Sequence, residues 1–140
     1  MKKDVFISIR GVQRVEGDEE VIGLMTVGNL YKKRDSYYLT YDETEATGFS
    51  GSRTTLKLDR EGRVTLQRSN PHQSHMIVEA GRRHQCHYDT AFGDMFIGVL
   101  GVDVNSTLTE EGGDLQFRYS LDINTELASE NEVHINVREM

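Results

Sequence analysis

Between Leu115 and Ile123 the chain alternates without a break, with Leu115, Phe117, Tyr119, Leu121 and Ile123 on one side and Gln116, Arg118, Ser120 and Asp122 on the other. Successive side chains of a strand point to opposite faces, whereas a helix repeats its apolar positions every three to four residues, so this segment fits only a half-buried strand. One face is core and the other is wet. The same period returns along most of the chain: Val5, Ile7 and Ile9; Tyr37, Leu39 and Tyr41; Thr54, Leu56 and Leu58; Val64, Leu66 and Arg68; Val133, Ile135 and Val137. His75 to Glu79 forms a further short run, and Met95 to Val102 is apolar on both faces. So is Val21 to Tyr31, where Gly23 and Gly28 are expected to mark bulges or a tight bend.

Turn chemistry separates these runs. Gly17-Asp18-Glu19-Glu20, Lys33-Arg34-Asp35-Ser36, Asp59-Arg60-Glu61-Gly62, Gly81 and Glu110-Glu111-Gly112-Gly113 read as hairpin connections, and Asn124 to Asn131 reads as a polar loop. About ten short strands follow in sequence with no helical pattern between them. Consecutive antiparallel strands without crossovers make a meander, and a meander this long removes its sticky edges by closing. The expectation is an all-β, up-and-down antiparallel β-barrel of about 8–10 strands, with residues 1–140 as a single domain.

Composition narrows the function classes. A net charge of −7 repels phosphate backbones and anionic lipid surfaces, which speaks against nucleic-acid and membrane partners. Lys32-Lys33-Arg34 and Arg82-Arg83, the basic clusters, sit at expected turns or strand ends without interleaved aromatics. Cys86 is the lone cysteine, which fits a reducing compartment. No signal h-region or transmembrane-length apolar span is seen, so a cytoplasmic protein is expected.

Three constellations could carry chemistry. His84, Cys86 and His87 crowd into four positions, with His72 and His75 upstream. Strand parity places His84 and Cys86 on one face and His87 on the other, leaving two metal ligands on a side and no paired zinc spacing; a structural role and no cofactor are expected. The second is the barrel interior. If Val64 and Leu66 point inward, so does Arg68, and if Cys86 does, so do His84 and Tyr88. Arg68 with Tyr41, Tyr88, Tyr119 and Tyr37 then suits a carboxylate or phosphate head, while an apolar wall holds a tail. The alternative is that Arg68 snorkels to water at the rim of a barrel filled with side chains. The third is catalysis, which has little support. Gly48-Phe49-Ser50-Gly51-Ser52 misses the nucleophile-elbow pattern by one residue, and Glu19-Glu20, Asp42-Glu43 and Glu110-Glu111 lie in turn-like stretches where charge is expected. His134 alternates with Val133 and Ile135, placing it on the polar face with Asn136.

Five segments also look familiar: Met25-Thr26-Val27-Gly28-Asn29-Leu30-Tyr31, Tyr38-Leu39-Thr40-Tyr41-Asp42-Glu43, Val64-Thr65-Leu66-Gln67-Arg68, Tyr88-Asp89-Thr90-Ala91-Phe92-Gly93 and Gly113-Asp114-Leu115-Gln116-Phe117-Arg118-Tyr119. In this order, over nearly the whole chain, they resemble the YwiB-like family of small bacterial proteins. The resemblance implies a calycin-like, lipocalin-like β-barrel. The family is uncharacterised, so no catalytic or binding residue carries over. The reading taken forward is a non-enzymatic barrel that binds a small, partly apolar or amphiphilic ligand in its lumen. A filled structural or interaction module is the runner-up, and an enzyme using the His/Cys cluster is third. Because Met95 to Val102 is apolar on both faces, its outer face is expected to be covered by a loop or by a second subunit in a homodimer.

Overall fold

The structure, a computed structural model, describes residues 2–43, 51–69, 74–90 and 93–140, the side chains at 88–90, 93 and 94 excepted. Its strands are β1 (Lys3–Val15), β2 (Asp18–Lys33), β3 (Ser36–Asp42), β4 (Arg53–Leu58), β5 (Val64–Ser69), β6 (Ser74–Val78), β7 (Arg83–Thr90), β8 (Gly93–Ser106), β9 (Gly112–Ile123) and β10 (Glu126–Glu139). Each pairs antiparallel with its predecessor, and β10 returns to β1 with Val5 opposite Glu139 and Arg14 opposite Glu130, closing a ten-stranded up-and-down barrel. Closure gives every strand a neighbour on both sides, which is how a long meander covers its edges. Among the described residues no helix is long and apolar enough to cross a membrane.

Register turns the alternation into an inner and an outer set. On the inside, Leu39 faces Leu30 and Leu56, Leu56 faces Leu66, and Val64 faces Leu58 and Val78. Val5, Leu30, Leu39, Val64, Val78, Leu115 and Val137 are buried and fill one end of the barrel. Leu108, buried in the same cluster, reaches it from the β8–β9 connection. The other end carries Gln13 on β1, Ile22 on β2 and Gln67 on β5, all exposed, and it is there that the lumen opens. The outer face of β8 is apolar as expected, and Phe96, Leu100 and Val102 stand exposed on it.

Three expectations need correction. The stretch from Asn124 to Asn131 is not a polar loop: Asn124 and Thr125 make a two-residue turn with φ of 53° and 69°, and β10 begins at Glu126. Two consecutive left-handed residues match the twist of the flanking strands, which is why so tight a turn forms without glycine. The first hairpin likewise turns at Glu16-Gly17, with Asp18 already in β2. Gly23 and Gly28 mark no bulge, since the β1–β2 register runs unbroken past both. The register shifts lie instead at Val102 in β8 and Ala128 in β10.

The β4–β5 turn shows what holds a hairpin end. Asp59 accepts hydrogen bonds from the backbone N–H of Glu61 and of Arg63, both at 3.0 Å, and from Arg63 Nε at 2.9 Å. Burial alone would raise the Asp59 pKa, but these donors outweigh it and hold the carboxyl below its ordinary value. A carboxylate with a depressed folded pKa contributes stability that is present above its unfolded pKa and is lost as pH falls through the folded one. Asp59→Ala is therefore expected to cost about 1–2 kcal/mol at pH 7, with the gap to wild type closing below about pH 4. Urea denaturation at pH 7 and at pH 3 checks this; an equal gap at both would show that the charge contributes nothing.

Candidate functional site

The open half of the barrel encloses a cavity of about 350 Å³. Its wall is mostly apolar, with Ile9, Leu24, Leu66, Met76, Phe117 and Ile135 among the lining side chains. Each arrives by the two-residue period of its strand, so the wall is the unfilled continuation of the core. Polar groups on the wall include Gln13 on β1, Ser74 on β6 and Asn131 on β10, and the charged ones among the described residues stand on β5 and just past β3.

There β3 delivers Tyr41 and, just past its end, Glu43; β4 delivers Thr54; β5 delivers Arg68. Register makes them neighbours, because Tyr41 pairs with Thr54 and Thr54 pairs with Arg68. The backbone of Glu43 is held in line by its N–H bond to the Ser52 carbonyl at 2.8 Å. Its side chain is 1% exposed, and that of Arg68 is 22% exposed. The Arg68 guanidinium lies 3.4 Å from Glu43 Oε1, and the Thr54 hydroxyl donates to the same oxygen at 2.5 Å. Burial, reinforced by the Glu43 charge and a hydrogen bond to it, pushes the Tyr41 hydroxyl far above the usual phenol pKa, so it stays protonated. A buried carboxylate is tolerable only when paired and hydrogen-bonded, and here Arg68 and Thr54 supply both.

Arg68, Tyr41 and Tyr119 all line the cavity, as their parity implies. Tyr119 stands across the lumen with its ring 6.0 Å from that of Phe117. Arg68 does not simply snorkel to water, since its charge is matched inside the barrel by Glu43. Tyr88 lies in β7 opposite Met95, but its side chain is outside the described residues. Tyr37 is part-buried against the core, with Lys32 Nζ 5.6 Å from its ring centre, and is not among the lining residues.

His84 does not reach the cavity. Its Nε2 lies 2.9 Å from Glu79 Oε1 at the β6–β7 turn, a histidine–carboxylate pair separate from the lumen wall. Among the described residues the β6–β7 ladder pairs Ser74 with Tyr88 and His75 with His87, and it does not continue to Met76 and Cys86. Beyond it, Cys86 Sγ accepts the Ile77 N–H at 3.4 Å, so the thiol satisfies a backbone donor that the ladder leaves over. Burial pushes the Cys86 thiol pKa up, and the Ile77 N–H and Arg83 offset this only in part. His84 and Cys86 thus each have a local partner, and no group of three His, Cys, Asp or Glu that could hold a metal occurs among the described residues. His87 faces outward beside Phe96, 5.6 Å between ring centres, and His134 bonds Asp114 on the outer face at 3.1 Å. His72 and residues 44–50 lie outside the described residues.

Two site residues escape a reading of the sequence, Glu43 and Thr54. Asp42-Glu43 looks like solvated turn chemistry, yet Glu43 is buried. The available signal is parity, since Glu43 continues the face of Tyr37, Leu39 and Tyr41 by one further step of two.

Comparison with known proteins places this barrel among others. Residues 7–135 match the family model described as a domain of unknown function, DUF1934. The chain is 26% identical over 122 residues, 87% of its length and 84% of the relative's, to the uncharacterized beta-barrel protein YwiB of Bacillus subtilis strain 168. It superposes on the crystal structure of ywiB protein from Bacillus subtilis with a TM-score of 0.88 at 22% identity, covering 99% of this chain and 93% of that one. The superposition establishes the shared fold.

Proposed function

Since the chain belongs to the DUF1934 family, whose description assigns no function, its role has to be read from its own lumen, and we propose that it is a non-enzymatic, calycin-like carrier of a small, partly apolar molecule. The observation that carries this reading is the cavity of about 350 Å³, whose wall is mostly apolar and includes the cluster of Tyr41, Glu43, Thr54 and Arg68. That volume lies at the small end of ligand sites, which run from roughly 300 to 1,000 Å³. At about 30 Å³ per water it corresponds to roughly ten waters or a short hydrocarbon chain with a polar head. Each buried CH₂ contributes about 0.8 kcal/mol, so such a tail has enough to gain from entering.

Catalysis has less support. The lumen's carboxylate is engaged by Arg68 and Thr54, and the His84–Glu79 pair stands outside the cavity wall. The lone buried thiol supports a reducing, cytoplasmic setting, and the net charge of −7 argues against nucleic acid and membrane surfaces as partners.

Gly11 offers a clean test. It lines the cavity, and a methyl group added there would meet nothing within 4 Å. Gly11→Leu should plug the lumen without displacing packed atoms, leaving stability unchanged or raised by about 1 kcal/mol, because glycine is unfavourable in a strand interior. Native mass spectrometry of wild type from its own host should show a co-purifying small molecule, and the variant should be bare. A bare wild type that also shows no thermal shift with amphiphiles would end the carrier reading.

A second reading is favoured by the outer face of β8, where Phe96 is 60% and Val102 54% exposed. Apolar groups standing together on a strand face suit a protein interface, here a homodimer. Light scattering is expected to give twice the monomer mass, and a strict monomer at low concentration would discard it.

A further inference from the structure

The wall of the lumen changes character along its length. On β10 the inner face runs from Ile135 and Val133 in the closed half to Asn131 at the mouth, and on β1 it runs from Ile9 past Gly11 to Gln13. On β6 it runs from Met76 to Ser74. All three turn from apolar to polar as they near the opening, while Ile22 keeps the β2 side of the rim apolar. An amphiphile matched to this wall lies with its tail towards Ile135 and its head at the mouth, where polar atoms need not give up water without a partner.

Asn131 is a built feature of that mouth. It is 8% exposed, it lines the cavity, and its Nδ2 donates to Ser129 Oγ at 3.0 Å. Ser129 is buried too and is not among the lining residues, so it holds the amide from behind. With the nitrogen engaged there, the carbonyl oxygen is the pole left for the lumen, and it makes no hydrogen bond among the described residues. A carbonyl oxygen only accepts, so it calls for an O–H or N–H on the ligand; a carboxylate, which also only accepts, has nothing to give it. Gln13 stands directly opposite Asn131 in the β1–β10 ladder, and residues so paired have Cβ atoms about 4.5–5.5 Å apart. Its exposed carboxamide supplies both a donor and an acceptor. Two adjacent hydroxyls on one head can therefore be met by two neighbouring side chains.

On the carrier reading, we propose that the lumen takes its ligand tail first and that Asn131 and Gln13 select a hydroxylated head, as a glycerol ester or similar polyol carries, on a short apolar tail.

Calorimetric titration of the full chain at pH 7 tests this with two probes that share a tail, 1-monooctanoylglycerol and methyl octanoate, of which only the first has hydroxyls. The glycerol ester should bind about tenfold tighter, as one or two ordinary hydrogen bonds give. Asn131→Leu, close in volume, removes the acceptor and should bring the probes to within about twofold of each other by weakening the glycerol ester alone. Gln13→Met, at an exposed position, should narrow the preference part of the way. A dansyl group on the terminal hydroxyl of the glycerol should leave binding in place, and the same group at the far end of the tail should abolish it. Equal binding of the two probes by wild type overturns the proposal, as does a full preference kept by Asn131→Leu or a dansyl group tolerated only on the tail. If Asn131→Leu does not fold, Gln13→Met decides, and an unchanged preference there overturns the proposal. If wild type binds neither probe the proposal fails, and the co-purifying molecule expected in native mass spectrometry decides separately whether the carrier reading survives.

Discussion

Arg68→Met is expected to destabilise the protein by about 3 kcal/mol, because it leaves the Glu43 carboxylate buried without its cation. The Glu43 side chain is 1% exposed, so water cannot take over from Arg68. Thr54 still donates to one oxygen and Tyr41 still hydrogen-bonds the carboxylate, but neutral hydroxyls do not replace a counter-charge. Methionine keeps much of the apolar stem of arginine, so the loss reports charge and hydrogen bonding more than packing. Glu43→Gln should cost less, since it removes the charge and keeps a carbonyl acceptor for Thr54. The double variant should be more stable than Arg68→Met alone, with a coupling above about 1 kcal/mol. Urea denaturation with an unchanged m-value measures all three. If Arg68→Met falls within about 0.5 kcal/mol of wild type, as ordinary surface substitutions do, the pair is solvated and the polar cluster is no organised site.

The same cluster shows where the sequence stops being legible. Alternation at Leu115, Phe117, Tyr119 and Leu121 assigns each residue to the inside, and the structure places three of them in the cavity wall and Leu115 in the core. Local chemistry misleads at Glu43, because an acid beside Asp42 at the edge of a polar run resembles a solvated turn. Its partner Arg68 is 25 residues away, and only pairing through β3, β4 and β5 makes them neighbours. His84 fails in the opposite sense. Its parity is correct, yet the β6–β7 ladder does not continue to Met76 and Cys86, and the nearby Glu79 takes the imidazole. At Asn124-Thr125 a hairpin forms without glycine, so composition reads as loop what pairing makes a tight turn.

Gly28→Val is expected to be the most damaging change, costing about 3 kcal/mol or more through a displaced backbone. Gly28 and Gly11 both belong to the inner face, on paired strands β2 and β1, and the sequence does not distinguish them. The space around them does. A side chain at Gly11 would enter the open lumen, whereas one at Gly28 would run into the Thr40 carbonyl and the Ile7 side chain. Ile7 Cδ1 is the end of a side chain and can repack; the carbonyl belongs to β3 and can move only with its strand. Gly28 also pairs directly with Tyr41, which pairs with Thr54. Pushing β3 off β2 therefore moves Tyr41 and strains the step that carries the chain to Glu43, so the fold and the polar cluster should fail together. Calorimetric melting and native mass spectrometry of Gly28→Val beside Gly11→Leu make the comparison: the first should lose stability and the co-purifying molecule together, the second the molecule alone. A Gly28→Val protein as stable as wild type would mean that β3 does not press on β2 there, and that the seat of Tyr41 and Glu43 tolerates movement.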